Sequence, residues 1–157
     1  MIEVNKQGEV WVFAEQHDGA LEDTSLELLS KGRQLADRLN VPLAAILLGN
    51  SVADLPVRLG HYGADKVYLA EHPLLHPYQA SSYARIFNDL IHKYKPQIVL
   101  YGATPVGRDL APRIASAVKA GLTADCTDLQ IGRHEIPKTG EVYDNLLLQI
   151  RPAFGGN

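Results

Sequence analysis

Apolar and polar positions fall into alternating blocks of two kinds along this chain. Val10 to Ala14, VWVFA, is a short run of β-forming residues. The polar stretch EQHDGALEDTS follows, and Thr24 or Ser25 is placed to cap a helix, with Glu27 three residues after Thr24 as in a capping box. From Ser25 to Leu39, Leu28, Leu29, Leu35, Ala36 and Leu39 recur at helical spacing, and Asn40 reads as the stop. PLAAILLG, from Pro42 to Gly49, is apolar throughout, as in a strand covered on both faces. A second helix is predicted over 52–60, with Ala53, Val57 and Leu59 set against Asp54 and Arg58. KVYLA is the next strand, and Pro73 and Pro77 break regular structure after it. Tyr83, Ile86, Phe87, Leu90 and Ile91 form one helical stripe over 80–94. Gln97 to Tyr101 is a strand, and the helix containing LAPRIASAVKA is predicted to end at Gly121. The rhythm then changes. TADCTDLQIG alternates like a strand, a turn is expected at Thr139–Gly140, and VYDNLLLQIRPAF is a long strand candidate.

The order is βαβαβαβα, then two strands. It predicts an α/β fold: a mainly parallel sheet with helices on both faces and right-handed crossovers. The two last strands are expected to add to, or cross over, one edge of that sheet. At 157 residues the chain has the length of one domain, and 46% apolar with 21% charged residues is an ordinary globular balance. A net charge of −3 supplies no bulk attraction to nucleic acid or anionic lipid, so neither is an expected partner. The single cysteine, Cys126, rules out an intrachain disulfide and a multi-cysteine metal site. It is expected to be a buried or half-buried strand residue. The start of the chain lacks the pattern of a secretory signal, and no apolar run approaches the roughly 20 residues of a bilayer span. The expectation is a cytoplasmic location. The apolar strand running to RPAFGGN at the end suggests a piece of a longer protein.

The most informative chemistry lies in GATPVGRDLAPRIAS. Gly102 and Gly107 have the spacing of a phosphate-binding P-loop, but Arg108 and Asp109 stand where Lys and a hydroxyl residue belong. Pro105 also removes a backbone N–H from such a cradle. A strand–turn–helix accounts for the same residues: Gly102 allows the turn, Thr104 caps, and Pro105 takes the first helical position. Pro112 complicates that assignment, and Asp109 is the alternative cap. Either way the loop lies at a strand's C-terminal end, where open α/β sheets bind ligands, so Gly102, Thr104 and Arg108 are candidate binding residues. The plain alternative for Arg108 or Arg113 is a surface ion pair with Asp109.

The six histidines form no HxH or HExxH motif, His72 and His76 stand four apart only within the Pro-broken HPLLHP, and no Ser or Cys sits in a nucleophile elbow. No catalytic residue and no metal ligand is predicted. Arg151 ends an apolar strand and precedes Pro152, so its guanidinium is held near the sheet's end, where it can steer an anion. AGLTADCTDL sets Thr123, Asp125, Thr127 and Asp128 among apolar residues, which suits an edge strand or a segment facing a partner or cofactor.

GATPVGRDLAPRIASAVKAGLTADCTDL together with LLLQIRPAFGGN resembles the N-terminal domain of the electron transfer flavoprotein alpha subunit. VWVFAEQHDGAL, SLELLSKGRQLADRL, GADKVYLAE and YKPQIVLYGAT fit as well, so the resemblance spans essentially residues 1–157 as one domain. It implies a Rossmann-like three-layer sandwich of the adenine-nucleotide-binding, alpha-hydrolase-like kind. It also implies an electron carrier rather than an enzyme, a beta-subunit partner of related fold, and electrons arriving from acyl-CoA or other dehydrogenases. FAD is implied for the full heterodimer, mostly in a C-terminal domain beyond Asn157, with AMP or a second FAD in the beta subunit. Some relatives place an arginine beside the beta subunit's flavin, and Arg151 falls there; in electron-bifurcating members that flavin accepts hydride from NADH. A different class remains open: a stand-alone AMP- or ATP-binding sensor resembling universal stress proteins, using the loop from Gly102 to Gly107.

Overall fold

A computed structural model describes residues 5–151. Its elements are β1 (Val10–Phe13), β2 (Gln16–His17), β3 (Ala20–Leu21), α1 (Asp23–Leu39), β4 (Leu43–Gly49), α2 (Leu55–His61), β5 (Lys66–Glu71), α3 (Ala80–Tyr94), β6 (Ile98–Leu100), α4 (Pro105–Val118), β7 (Asp128–Glu135) and β8 (Val142–Ile150). The chain divides after Leu122 into two compact units.

The first unit is built on a four-stranded sheet of order β5-β4-β1-β6, parallel throughout. Every residue of β1 and β4 is buried, which is what their unbroken apolar runs require. On one face Trp11, Phe13, Ala44, Ile46 and Leu48 pack with Tyr83, Phe87 and Ile91 of α3 and with Leu110, Ile114 and Val118 of α4. On the other face α1 lies close to the sheet. A Cβ at its Gly32 would stand 2.8 Å from Leu43 and 3.0 Å from Val12. The helices therefore cover both faces of a parallel sheet, as the block pattern predicts.

Local details depart from the sequence reading. The first helix begins at Asp23 with Glu22 as its N-cap, so Thr24 and Ser25 lie inside the first turn. The Ser25 hydroxyl is taken by a tertiary partner, donating to the Glu15 carbonyl at 3.0 Å. Asn40 does stop α1, in the left-handed conformation with φ 55°. The second helix buries Leu59, whereas Val57 is 68% exposed. Two residues apart on a helix point to opposite sides, so these two cannot share a core face. The last helix stops at Val118, capped by a left-handed Lys119 rather than by Gly121.

The second unit corrects the expectation that the final strands join the sheet. β7 and β8 pair with each other, antiparallel, in a separate two-stranded sheet. A tight local turn makes this pairing short-range: Gly140 N–H donates to the Ile136 carbonyl at 2.9 Å, with Gly140 at φ 69°. Cys126 is half-buried and precedes β7 instead of lying in a strand. The continuation of β8 expected through Pro152 to Phe154, and the rest of RPAFGGN after Arg151, lie outside the described residues. No described residue of this unit is buried.

One polar knot holds the N-terminal ends of the strands. Glu9, just before β1, accepts from Trp11 Nε1 at 2.8 Å, from the Tyr68 hydroxyl at 3.1 Å and from Lys66 Nζ. It thus ties β1 to β5 past the intervening β4. Desolvation pushes the Glu9 carboxyl up, but these hydrogen bonds and the Lys66 charge outweigh it and hold the group below its ordinary value of 4.5. Burial and the same carboxylate push the Tyr68 phenol up to about 12.

A carboxyl whose folded pKa is lowered stabilises the protein above its unfolded pKa, and that contribution fades as pH falls through the lowered value. Glu9→Gln is therefore expected to cost about 1–2 kcal/mol at neutral pH, with the deficit shrinking below pH 4.5 in urea titrations. A deficit independent of pH would contradict the carboxylate's role. Hydrogen exchange is expected to protect the β4 amides up to global unfolding and to release those of β7 and β8 well before, because a lone hairpin buries too little to be stable. Equal protection of the two would contradict this.

Candidate functional site

The chain runs from β1 outward through β4 to β5, then returns to β6 on the other side of β1. That reversal opens the crevice between the C-terminal ends of β1 and β6, where open α/β sheets take ligands. The loop from Gly102 to Asp109 borders it, as its position after a strand predicts.

The loop is tightly constrained. Thr104 is the N-cap of α4, its Oγ1 accepting from Gly107 N–H at 3.0 Å, and Pro105 occupies the first turn. Asp109 is consequently not the cap. It lies within α4, where its Oδ2 accepts from the Tyr78 hydroxyl at 3.0 Å and its Oδ1 from Arg113 Nε at 3.0 Å. The Arg113 hydrogen bond and then that of Tyr78 hold the Asp109 carboxyl below its ordinary range. The surface ion pair expected for Arg113 is present. Pro112 lies inside α4 on its exposed side.

Gly102 and Gly107 are both buried and meet face to face: a Cβ built at Gly107 would overlap the Gly102 carbonyl oxygen. A Cβ at Gly102 would stand 3.0 Å from Thr24 of α1. The glycine spacing that resembles a P-loop thus serves close packing of a helix start on a strand end. Arg108 is exposed, its Nε donating to the Ala103 carbonyl at 3.3 Å.

What the sequence reading missed is Glu15. It lies two residues beyond the end of β1, and it is 5% exposed. Its Oε2 accepts from Thr104 Oγ1 at 2.5 Å, joining the end of β1 to the cap of α4. Its backbone carbonyl accepts from Glu22 N–H at 3.0 Å and from Ser25 Oγ. His17 Nε2 lies 3.5 Å from Glu15 Oε1 and 3.6 Å from Glu22 Oε1. The one signal available was an acidic residue at the C-terminal end of an apolar strand.

A nucleotide phosphate fits this crevice poorly. The Thr104 hydroxyl already takes the Gly107 N–H, Pro105 has no N–H to give, and the Glu15 carboxylate would face the phosphate as a like charge. Gly102, Thr104 and Arg108 come together in one turn-and-helix segment, Arg108 in the first turn of α4. Arg151, the fourth candidate, is exposed just after β8 in the other unit. There Thr127 N–H donates to the Ile150 carbonyl at 2.8 Å and fixes the strand end before it. Among the described residues no three His, Cys, Asp or Glu side chains converge as metal ligands, and no helix is long and apolar enough to cross a membrane.

The family described as the electron transfer flavoprotein domain matches residues 10–157. The chain belongs to this family. It is 46% identical over 154 residues to the electron transfer flavoprotein subunit alpha of Thermoanaerobacterium thermosaccharolyticum, covering 98% of this chain and 44% of that protein. It is 46% identical to Protein FixB of Clostridium saccharobutylicum, over 94% of this chain and 41% of that protein. It is 40% identical to the lactate dehydrogenase (NAD(+),ferredoxin) subunit LctC of Acetobacterium woodii, over 94% of this chain and 33% of that protein. The chain thus spans less than half the length of the curated relatives it matches. The resemblance to the alpha-subunit domain stands, and nothing among the relatives supports a stress-protein-like sensor.

Two substitutions test the loop's construction. Thr104→Val removes the cap and is expected to cost about 0.5–2 kcal/mol. Gly107→Ala places a methyl against a backbone carbonyl that no rotamer can move, and is expected to cost about 1–3 kcal/mol. Urea midpoints at unchanged m measure both, and a fully stable Gly107→Ala would contradict the close approach.

Proposed function

We propose that this chain is the scaffold part of an electron transfer flavoprotein alpha subunit. It pairs with a beta subunit and helps line a flavin site, while the flavin carries the electrons. The observation that carries the reading is the family match over residues 10–157, on a chain under half the length of its relatives. The crevice supports it, since the ligand position of the sheet holds a side chain of the protein itself. In this reading the chain is an electron-carrier subunit and has no catalytic residue of its own. FAD is bound by the complete heterodimer, and the beta subunit holds AMP or a second FAD. Acyl-CoA or other dehydrogenases supply the electrons, and a cytoplasmic site of action agrees with the single, unbridged Cys126.

Gly102 and Thr104 shape the loop at the sheet's edge in this reading, and Arg108 presents a cation at its rim. Arg151 faces the flavin of the beta subunit, where a guanidinium favours the anionic reduced form by Coulomb attraction. Its exposure after a fixed strand end suits that task.

The test uses the full-length alpha subunit with its beta subunit. Flavin and nucleotide counts decide the type: one FAD with AMP for an ordinary carrier, two FADs for a bifurcating one. Arg151→Ala is expected to lower the potential of the beta-subunit flavin by roughly 30 mV, a tenfold change for a two-electron couple. Unchanged titrations of every flavin would overturn the assignment of Arg151, and a heterodimer without flavin would overturn the carrier reading.

A further inference from the structure

β6 stands at the edge of the parallel sheet. It pairs with β1 alone, and β7 and β8 form a sheet of their own, so among the described residues no strand lies beyond it. The backbone groups on its outer side therefore have no strand partner. Such an edge is a template for a further strand. Beside it runs a largely apolar groove of about 380 Å³, lined by Ile91 of α3, by Val99 and Tyr101, and by Ile114, Ala115 and Val118 of α4. The Tyr101 hydroxyl is buried there without a hydrogen-bond partner. Native structures seldom leave such a group unmet.

An open backbone edge that borders an apolar groove fits an extended chain, whose backbone pairs with the edge while every second side chain fills the groove. The connections of the sheet say where that chain comes from. α3 carries the chain from β5 to β6 on the face of Trp11 and Phe13. α1 carries it from β1 to β4 on the opposite face, moving the other way across the sheet. Crossovers between parallel strands are right-handed, so the face of a helix fixes the direction of the step. α4 leaves β6 on the same face as α3. A right-handed return from α4 therefore enters the sheet beyond β6. The hairpin does not take that place, because β7 and β8 pair with each other.

We propose that the β6 edge and its groove receive a β-strand of the same subunit, from the segment that follows Arg151, laid parallel to β6 and bringing an acceptor to the Tyr101 hydroxyl. Apolar side chains of that strand cover Val99, Ile114 and Val118. The longer chain this needs rests on the alpha-subunit reading; the matched region is 44% of the Thermoanaerobacterium thermosaccharolyticum protein, which leaves ample length for a strand. The flavins do not enter into it, so a carrier with every flavin in place and an open β6 edge separates the two readings.

The test uses the full-length alpha subunit in complex with its beta subunit. Successive amides of a strand point to opposite sides, so a strand paired on both sides protects all of them. The amides of Ile98, Val99 and Leu100 are expected to exchange within about tenfold of one another. Protection that alternates along β6 by more than that would overturn the proposal. A photoreactive residue in the groove identifies the occupant: Ala115→p-benzoylphenylalanine is expected to cross-link, on irradiation, to a peptide of its own subunit after Arg151. Lys119, exposed at the rim of the groove, carries the same probe if the first variant does not assemble. Cross-links only to the beta subunit or to a second alpha subunit would overturn the assignment, as would the absence of any cross-link to the segment after Arg151 from both positions.

Discussion

The structure depends on the burial of two strands from both sides. β1 and β4 expose no residue, and each of their faces needs its own helix layer. Trp11, Phe13, Ile46 and Leu48 require α3 and α4; Val12 and Leu43 require α1 at a distance that only a glycine at position 32 permits. Hydrophobic burial of this kind has no direction of its own. The parallel ladder supplies the direction, by setting all four strands of the sheet to end at the same edge.

A strand buried on both faces leaves only its ends for polar chemistry, and β1 carries a glutamate just beyond each. Glu9 is bound by three side-chain donors from β1 and β5 and works as a knot across the sheet. Glu15 has one hydroxyl donor on its carboxylate and lies at the edge where loops converge. The same residue type thus has two roles, decided by which end of the strand it follows. At the N-terminal end the surrounding groups are strand side chains that hold structure together. At the C-terminal end they are loop and helix-cap groups, the kind that receive ligands in other sheets of this architecture.

This arrangement is coherent with the proposed scaffold role. Its own ligand position carries a side chain, and the candidate cation, Arg151, is exposed on the hairpin unit. The hairpin has apolar residues on both faces: Leu146, Leu148 and Ile150 on one, Leu129, Ile131 and Leu147 on the other. None of these is buried.

Much of this was legible along the chain. The apolar run from Leu43 to Leu48, the stripe of Tyr83, Phe87 and Ile91, and the Thr104–Pro105 cap each have a one-dimensional signature, because burial on both faces, helical period and capping are local rules. The family motifs were also plain in the order of residues. Three features were not. The pairing of β7 with β8 rests on a tight turn at Gly140, and the strand pattern alone does not choose a partner strand. Ser25 left helix capping because a tertiary acceptor, the Glu15 carbonyl, lay within reach. Glu15 itself gave little sign, since its meaning rests on a contact with Thr104, 89 residues away. The sequence by itself determined the strands and helices of the parallel-sheet unit's core and the faces that α1 and α3 bury, because period and apolar content act between near neighbours. The tertiary structure alone decided that the loop from Gly102 to Gly107 meets a carboxylate instead of an open crevice, because only the folded sheet brings the ends of β1 and β6 together.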